Sequence, residues 1–100
     1  MQNRIYTQME LRALVLPLME KYRVAEAKLF GSYARGDADE ESDIDLLLIG
    51  GQDFQPMDVF AFAEDLHENS GKAVDVYELR EISRNSALYQ SILREGVAVV

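Results

Sequence analysis

The 100-residue sequence contains no cysteine and no tryptophan, and it has only two prolines and one histidine. Without cysteine the chain can form neither a disulfide framework nor a cysteine-ligated zinc site. The apolar runs extend over only a few residues, so the sequence predicts no membrane-spanning helix. Its polar start, MQNR, leads into no signal-peptide core. These absences make the cytoplasm the default location.

Positive charge is also scarce, because ten Lys and Arg residues stand against 18 Asp and Glu residues, which gives a net charge of −8. This balance argues against non-specific nucleic-acid binding, since such binding depends on attraction between Lys or Arg side chains and the phosphate backbone. It leaves open a nucleotide bound through metal ions, which would reverse the local field. With 48% hydrophobic residues and this length, the chain is expected to form one globular domain over residues 1–100.

Hydrophobic periodicity divides the chain into alternating helices and strands. Thr7 and Glu10 have the spacing of a capping box, and Pro17 predicts a kink or a break in the helix that follows. Alternation of strands and helices indicates an α/β fold in which helices flank a small sheet. The pattern predicts helices over 7–22, from Pro56 to a C-cap at Gly71, and over 86–96, and strands over 24–30, 43–50, 72–79 and 97–100.

An acidic segment leads into the second strand, with six of the 18 acidic residues between Asp37 and Asp45. A solvated turn would explain the first four of them, but it explains poorly why Asp45 is followed at once by three leucines. Asp43 and Asp45 are two residues apart, so on a strand their carboxylates would share one face. That arrangement suits divalent cations about 3.5–4 Å apart, as in two-metal phosphoryl chemistry.

Two further features accompany this carboxylate pair. Asp75 stands between Val74 and Val76, where an unpaired carboxylate would be costly. It could complete a three-carboxylate cluster, or it could form a salt bridge with Lys72 or Arg80. Upstream, Gly31 and Ser32 form a turn whose backbone could cradle a phosphate, although such a turn is more often only structural.

Together, Gly31-Ser32, Arg35-Gly36, Ser42-Asp43-Ile44-Asp45 and Asp75 resemble the signature of the nucleotidyltransferase superfamily of DNA polymerase β, and most closely its minimal nucleotidyltransferase (MNT) branch. The resemblance covers essentially the whole chain. It implies a small mixed β-sheet flanked by α-helices, and transfer of a nucleoside monophosphate, most commonly AMP from ATP, to a hydroxyl group.

The resemblance also implies roles for individual residues. Asp43 and Asp45 would hold two Mg²⁺ ions, and Asp75 would hold the ion that activates the acceptor oxygen. Gly31 and Ser32 would bind the triphosphate of ATP. Arg35 would assist at the phosphates, or it would instead pair with the acidic segment.

Small MNT proteins are commonly paired with a separately encoded helical HEPN-type protein, a ribonuclease toxin, and the resemblance therefore implies an antitoxin that modifies tyrosine of its partner. The HEPN signature is absent, since nothing basic precedes His67 within six residues, and His67 is expected at the surface near a helix end. Two alternatives remain: a catalytically weak module that neutralises its partner by occlusion, and a small-molecule modifier.

Overall fold

The computed structural model describes residues 4–99, and Val100 of the last predicted strand lies outside this range. Four helices and four strands alternate along it, with one short 3-10 turn at Leu79–Glu81. Within this range, no helix combines the length and the apolar character needed to cross a membrane. The helices are α1 (Gln8–Tyr22), α2 (Ser32–Arg35), α3 (Asp58–Ser70) and α4 (Ala87–Glu95), and the strands are β1 (Val24–Phe30), β2 (Ile44–Gly50), β3 (Val74–Glu78) and β4 (Val97–Ala98).

Local sequence signals set the ends of the first helix. The Thr7 hydroxyl accepts a hydrogen bond from the Glu10 amide at 3.0 Å, and the Glu10 carboxylate accepts one from the Thr7 amide at 2.9 Å. This capping box satisfies amides that have no partner inside the helix. The predicted break at Pro17 is absent, because α1 continues through it to Tyr22. Buried side chains on both sides of Pro17 hold the helix against the core, which offsets the lost backbone hydrogen bond.

The four strands form one mixed sheet in the order β3-β2-β1-β4. β1 pairs antiparallel with both β2 and β4, whereas β2 and β3 run parallel. The antiparallel pair β1–β2 is joined by α2 and the acidic segment, and the parallel pair β2–β3 is joined by a crossover through α3. This confirms the α/β fold with a small mixed sheet and flanking helices.

The two faces of the sheet are covered unequally. Leu29, Leu46 and Leu48 point toward α1 and α3 and belong to the main core. The opposite face carries Phe30 and Leu47, which form a smaller cluster covered by α4 and the segment before it. The side-chain alternation of β2 and β3 places Asp45 and Asp75 on this second, less covered face.

The ends of several predicted elements differ from the observed ones by one or two residues. β2 begins at Ile44, so Asp43 precedes the strand. α3 begins at Asp58 rather than at Pro56, because residues up to Met57 form a turn that leads into the helix. β3 is shorter than the predicted 72–79, because only residues from Val74 to Glu78 pair with β2. None of these shifts changes the face on which Asp45 and Asp75 lie.

Candidate active site

The hairpin of β1 and β2 brings the Gly-Ser turn against the second aspartate. Phe30, the last residue of β1, pairs with Asp45, and Gly31 follows it with a φ of 72°. A Cβ atom on Gly31 would overlap Asp45 Oδ2 and lie 3.2 Å from Asp45 Cγ. Glycine is therefore required here twice, for its backbone conformation and for the space that the carboxylate occupies.

The parallel strands place Asp75 beside Asp45. The two residues are direct partners in the register of β2 and β3. Asp45 is partly buried, whereas Asp75 on the edge strand is exposed. Asp43 is exposed just before β2, and its charge acts on Asp45. The structure thus brings together three of the predicted site residues, all of them carboxylates, next to Gly31.

These carboxylates repel one another. The pKa of Asp45 is raised to about 6, first by burial, then by the charges of Asp75 and Asp43, and by a hydrogen bond with Asp75. The positive charge of Arg35 acts in the opposite direction. At neutral pH the folded chain therefore holds an ionised Asp45 at a cost in stability, and a bound cation would remove that cost.

This cost predicts how stability depends on pH. Below the ordinary aspartate pKa of 3.8, Asp45 carries a proton in both states and contributes nothing. As the pH rises from 3.8 to about 6, the folded state keeps the proton that the unfolded chain has lost, so stability falls, and above about 6 the full penalty is present. We expect Asp45→Asn to remove this penalty and to stabilise the metal-free protein by about 1–2 kcal/mol more at pH 7.5 than at pH 4, a value reduced for solvent screening.

Urea denaturation of both proteins at the two pH values measures this difference. Asp53→Asn provides the control, because Asp53 is exposed beyond the other end of β2 and, within residues 4–99, its only ion pair, with Arg23, spans 3.8 Å. A loss of several kcal/mol on Asp45→Asn at pH 7.5 would instead identify Asp45 as a structural carboxylate.

The Gly-Ser turn opens the four-residue helix α2. The Gly31 carbonyl accepts hydrogen bonds from the amides of Ala34 and Arg35, each at 3.1 Å. The amides of Ser32 and Tyr33 stand at the start of this helix, where backbone donors have no partner within it. Ser32 is partly buried and follows directly on the glycine that touches Asp45. The turn therefore places two backbone donors and one hydroxyl within two residues of the glycine that contacts Asp45.

Arg35 ends α2 and is held by two carboxylates. Its Nε lies 3.2 Å from Asp37 Oδ2, and its Nη1 lies 3.1 Å from Glu95 Oε2 at the end of α4. Both contacts raise the pKa of Arg35, with Asp37 the larger cause. Of the two roles predicted for Arg35, the structure contains the pairing with the acidic segment. To bind a phosphate, Arg35 would have to release Asp37 and Glu95.

The alternative explanation for Asp75, a salt bridge, is absent from the described residues. Lys72 Nζ donates instead to the backbone oxygen of Glu40 at 2.8 Å, and Arg80 pairs with the buried Glu78. From the sequence, Lys72 was expected only as a partner for Asp75, and its contact with the acidic segment was not predicted. His67 lies exposed in the last turn of α3, as expected, and its Nδ1 is 2.6 Å from the Lys72 carbonyl.

The donor set fits a hard divalent cation, although residues 4–99 contain no group of three or more His, Cys, Asp or Glu side chains arranged to hold a metal ion by themselves. Mg²⁺ usually binds through one or two carboxylates and completes its shell with water and substrate phosphates. Asp45 and its neighbour Asp75 supply such a pair, and the raised pKa of Asp45 shows negative charge that lacks compensation. The residues therefore fit a cation that arrives with a nucleotide.

A Gly-Ser turn packed against a central strand that carries an aspartate, with a further aspartate on the parallel neighbour, is the arrangement that the sequence signature of a nucleotidyltransferase predicts. Comparison with known proteins supports this class. A profile of the family described as "Polymerase beta, Nucleotidyltransferase" matches residues 15–100. This match covers the sheet, the Gly-Ser turn and the three aspartates. The chain belongs to the polymerase β nucleotidyltransferase family.

Two archaeal relatives are similar over most of their length. A protein of Methanocaldococcus jannaschii with the provisional name protein adenylyltransferase MJ0435 is 36% identical over 91 residues, which is 91% of this chain and 96% of the relative. Protein adenylyltransferase MntA of Thermococcus cleftensis is 34% identical over 82 residues, which is 82% of this chain and 81% of the relative. The chain is thus an enzyme-family member whose named relatives are adenylyltransferases.

A solved structure extends the likeness to the fold. A chain in the complex of a tri-AMPylated Shewanella oneidensis HEPN toxin with an MNT antitoxin superposes with a TM-score of 0.71. The alignment is 21% identical and covers 94% of this chain and 72% of that chain. At this identity the match establishes a shared fold.

Proposed function

We propose that this protein is a Mg²⁺-dependent protein adenylyltransferase that transfers AMP from ATP to a tyrosine hydroxyl of a separately encoded, helical HEPN-type toxin, and that it acts as the antitoxin. The observation that carries the proposal is the contact of Gly31 with Asp45, whose neighbour on β3 is Asp75. The names of the two relatives support adenylyl transfer to protein. We place the reaction in the cytoplasm, where ATP is abundant.

Each predicted site residue has a role in this proposal. Asp43 and Asp45 hold Mg²⁺ from the end of the acidic segment, and Asp75 does so from the edge strand. When bound, the two Mg²⁺ ions neutralise phosphate charge and lower the pKa of the attacking hydroxyl. Gly31 and Ser32 hold the triphosphate through the backbone amides at the start of α2.

The reaction requires positioning more than a protein nucleophile. The tyrosine oxygen forms a bond to the α-phosphorus of ATP, the bond from that phosphorus to the bridging oxygen breaks, and pyrophosphate leaves. The proton of the hydroxyl passes to solvent. Asp75, which is exposed, is the carboxylate nearest to an acceptor that enters over the open edge of β3.

The acidic segment predicts that the partner protein presents basic groups where it contacts this chain. Asp37, Asp39, Glu40, Glu41 and Asp43 are all exposed beside the site. An acceptor protein that approaches Asp75 passes this segment, and basic groups on it would speed the encounter in a salt-dependent way. The HEPN toxin in the related complex is AMPylated, which supports a partner of this class for the present chain.

Mass spectrometry of the partner tests the proposal directly. A helical HEPN-type protein of the proposed partner class is incubated with ATP, Mg²⁺ and either wild-type protein or Asp75→Ala. We expect a mass increase of one or more AMP groups on tyrosine with the wild type, and a rate at least about a hundredfold lower with Asp75→Ala, because one metal ligand is missing. Asp53→Asn serves as the charge-matched control and should retain full activity.

Occlusion makes the opposite prediction. If the protein with Asp43→Asn and Asp45→Asn neutralised its partner fully, and no modified tyrosine were detected with the wild type, the enzyme proposal would fail. The chain would then be a binding module.

A further inference from the structure

Lys72 is a charged residue outside the predicted site, and it is almost completely buried. Only 5% of its surface is exposed, in a chain whose other lysines are at least partly open to solvent. Burying an ammonium group is costly unless it is hydrogen-bonded in a favourable field. Its Nζ donates to the backbone oxygen of Glu40 at 2.8 Å, in the middle of the acidic segment. The ammonium group of Lys72 therefore binds the backbone of the segment that leads to Asp43.

The backbone of Lys72 is fixed at several points. Its amide donates to the hydroxyl of the fully buried Ser70 at 3.1 Å. Its carbonyl lies 2.6 Å from His67 Nδ1, which must carry the proton because a carbonyl oxygen only accepts. The carbonyl of the next residue, Ala73, accepts from the Ile44 amide at 3.0 Å. These hydrogen bonds hold the backbone that carries the Lys72 side chain in place between α3 and the start of β2.

The segment that it contacts is a small turn closed by its own hydrogen bonds. The Asp39 amide donates to Ser42 Oγ at 2.8 Å, and the Glu41 amide donates to Asp39 Oδ1 at 2.9 Å. The Ser42 amide donates to the Asp39 carbonyl at 3.2 Å. These contacts lie within the turn. Ala38, just before it, packs against the main core, and Lys72 adds a hydrogen bond to the turn itself through the Glu40 carbonyl.

We propose that Lys72 is a positioning residue, which ties the backbone of residues 39–42 to the start of β3 and so fixes Asp43 beside Asp45 and Asp75. The three carboxylates repel one another, so the segment that carries Asp43 would move outward without a restraint. The Lys72 ammonium group, bound to a main-chain carbonyl of that segment, provides the restraint without using the carboxylates of Asp43, Asp45 or Asp75. The consequence for nucleotide binding rests on the proposed function, whereas the restraint itself does not.

Hydrogen–deuterium exchange of the metal-free protein tests the restraint. In Lys72→Met, which keeps the aliphatic stem and removes the ammonium group, we expect the amides of Asp39, Glu41 and Ser42 to exchange about tenfold faster relative to the amides of β2, since a hydrogen bond to a charged donor is lost. Lys72→Arg, which can still donate to the Glu40 carbonyl, should restore the slow exchange.

Two control variants separate this role from a general effect of charge. Lys21→Met removes a lysine that pairs with Asp65 at 2.9 Å, between α1 and α3. It should leave the acidic segment unchanged. Glu40→Ala should also leave the amide exchange of the acidic segment unchanged, because Lys72 contacts the backbone of Glu40 and not its side chain. If Glu40→Ala reproduced the effect of Lys72→Met, the contact would be a side-chain ion pair and the proposal would be wrong.

Calorimetric titration with ATP and Mn²⁺ measures the consequence for the site. We expect the dissociation constant to rise about tenfold in Lys72→Met and less than about threefold in Lys72→Arg, with Lys21→Met unchanged. Equal affinity in Lys72→Met and the wild type would overturn the positioning role, even if the melting temperature fell. If the wild type bound no metal–nucleotide, the proposed function would fail, and the exchange rates would still decide the role of Lys72.

Lys72→Gln keeps the test decisive if Lys72→Met does not fold. Its amide is one atom shorter than the lysine side chain and carries no charge, so the acidic segment should exchange faster in this variant than in Lys72→Arg. Identical exchange in Lys72→Gln and Lys72→Arg would contradict the proposal.

Discussion

Replacing Asp45 with asparagine is expected to lower the rate of AMP transfer at least about a thousandfold, because this carboxylate is the one that lies between the Gly-Ser turn and Asp75. Asparagine has nearly the same shape but cannot balance the charge of a divalent cation. The measurement is the initial rate of AMP incorporation into the partner at saturating ATP and Mg²⁺. The metal-free variant should at the same time be more stable than the wild type at neutral pH.

This combination of higher stability and lost activity separates catalysis from folding. A variant that misfolds loses stability and activity together. A variant that lacks only a metal-binding carboxylate in a strained site loses activity and keeps its stability. Asp53→Asn again serves as the matched control. If Asp45→Asn kept a tenth of the wild-type rate, the cation would have to be held elsewhere.

The second large effect is expected at Gly31. Gly31→Ala forces an alanine into a backbone conformation with a φ of 72° and pushes its Cβ into the carboxylate of Asp45. We expect a loss of about 2–4 kcal/mol in the free energy of unfolding, from strain and overlap together. The rise in melting temperature expected for the wild type with ATP and Mn²⁺ should disappear, because the displaced Asp45 no longer holds the cation that binds the triphosphate.

Gly36 offers a closely matched comparison at the other end of α2. It has a φ of 83°, but a Cβ on Gly36 would meet nothing within 4 Å. Gly36→Ala should therefore cost only the conformational strain, about 1 kcal/mol, and should retain the metal–nucleotide response. The difference between the two variants isolates the contact of Gly31 with Asp45. Equal losses in both would show that this contact contributes nothing.

Local patterns in the sequence predicted much of the fold. The alternation in residues 24–30 gave a strand with the observed ends, Val24 and Phe30, because side chains on a half-buried sheet alternate. Gly71 ends α3 with a φ of 72°, as its position after a polar helix end indicated. The predicted start of α3 at Pro56 was less accurate, because proline also favours the turn that precedes the helix, and the helix itself begins at Asp58.

The assembly of the site was harder to predict, because it depends on pairing between distant segments. The register that sets Asp45 opposite both Phe30 and Asp75 is a property of the whole sheet, and spacing along the chain does not define it. The same reason explains why Lys72 was overlooked. A single lysine before a strand gives no sign that its side chain turns inward and reaches a backbone carbonyl far away in sequence.

The connections between the strands determine the order in which the site is assembled. Gly31 directly follows β1, Asp45 lies in the neighbouring strand β2, and a short stretch of chain joins the two strands, so their contact forms at a low cost in loop closure. Asp75 reaches Asp45 only after the crossover through α3 has packed. On heating, we therefore expect β3 to separate from β2 before β1 does, so that Asp75 leaves the site while Gly31 still contacts Asp45. In the proposed function, a partly melted chain then keeps the triphosphate-binding part of the site after Asp75 has left it.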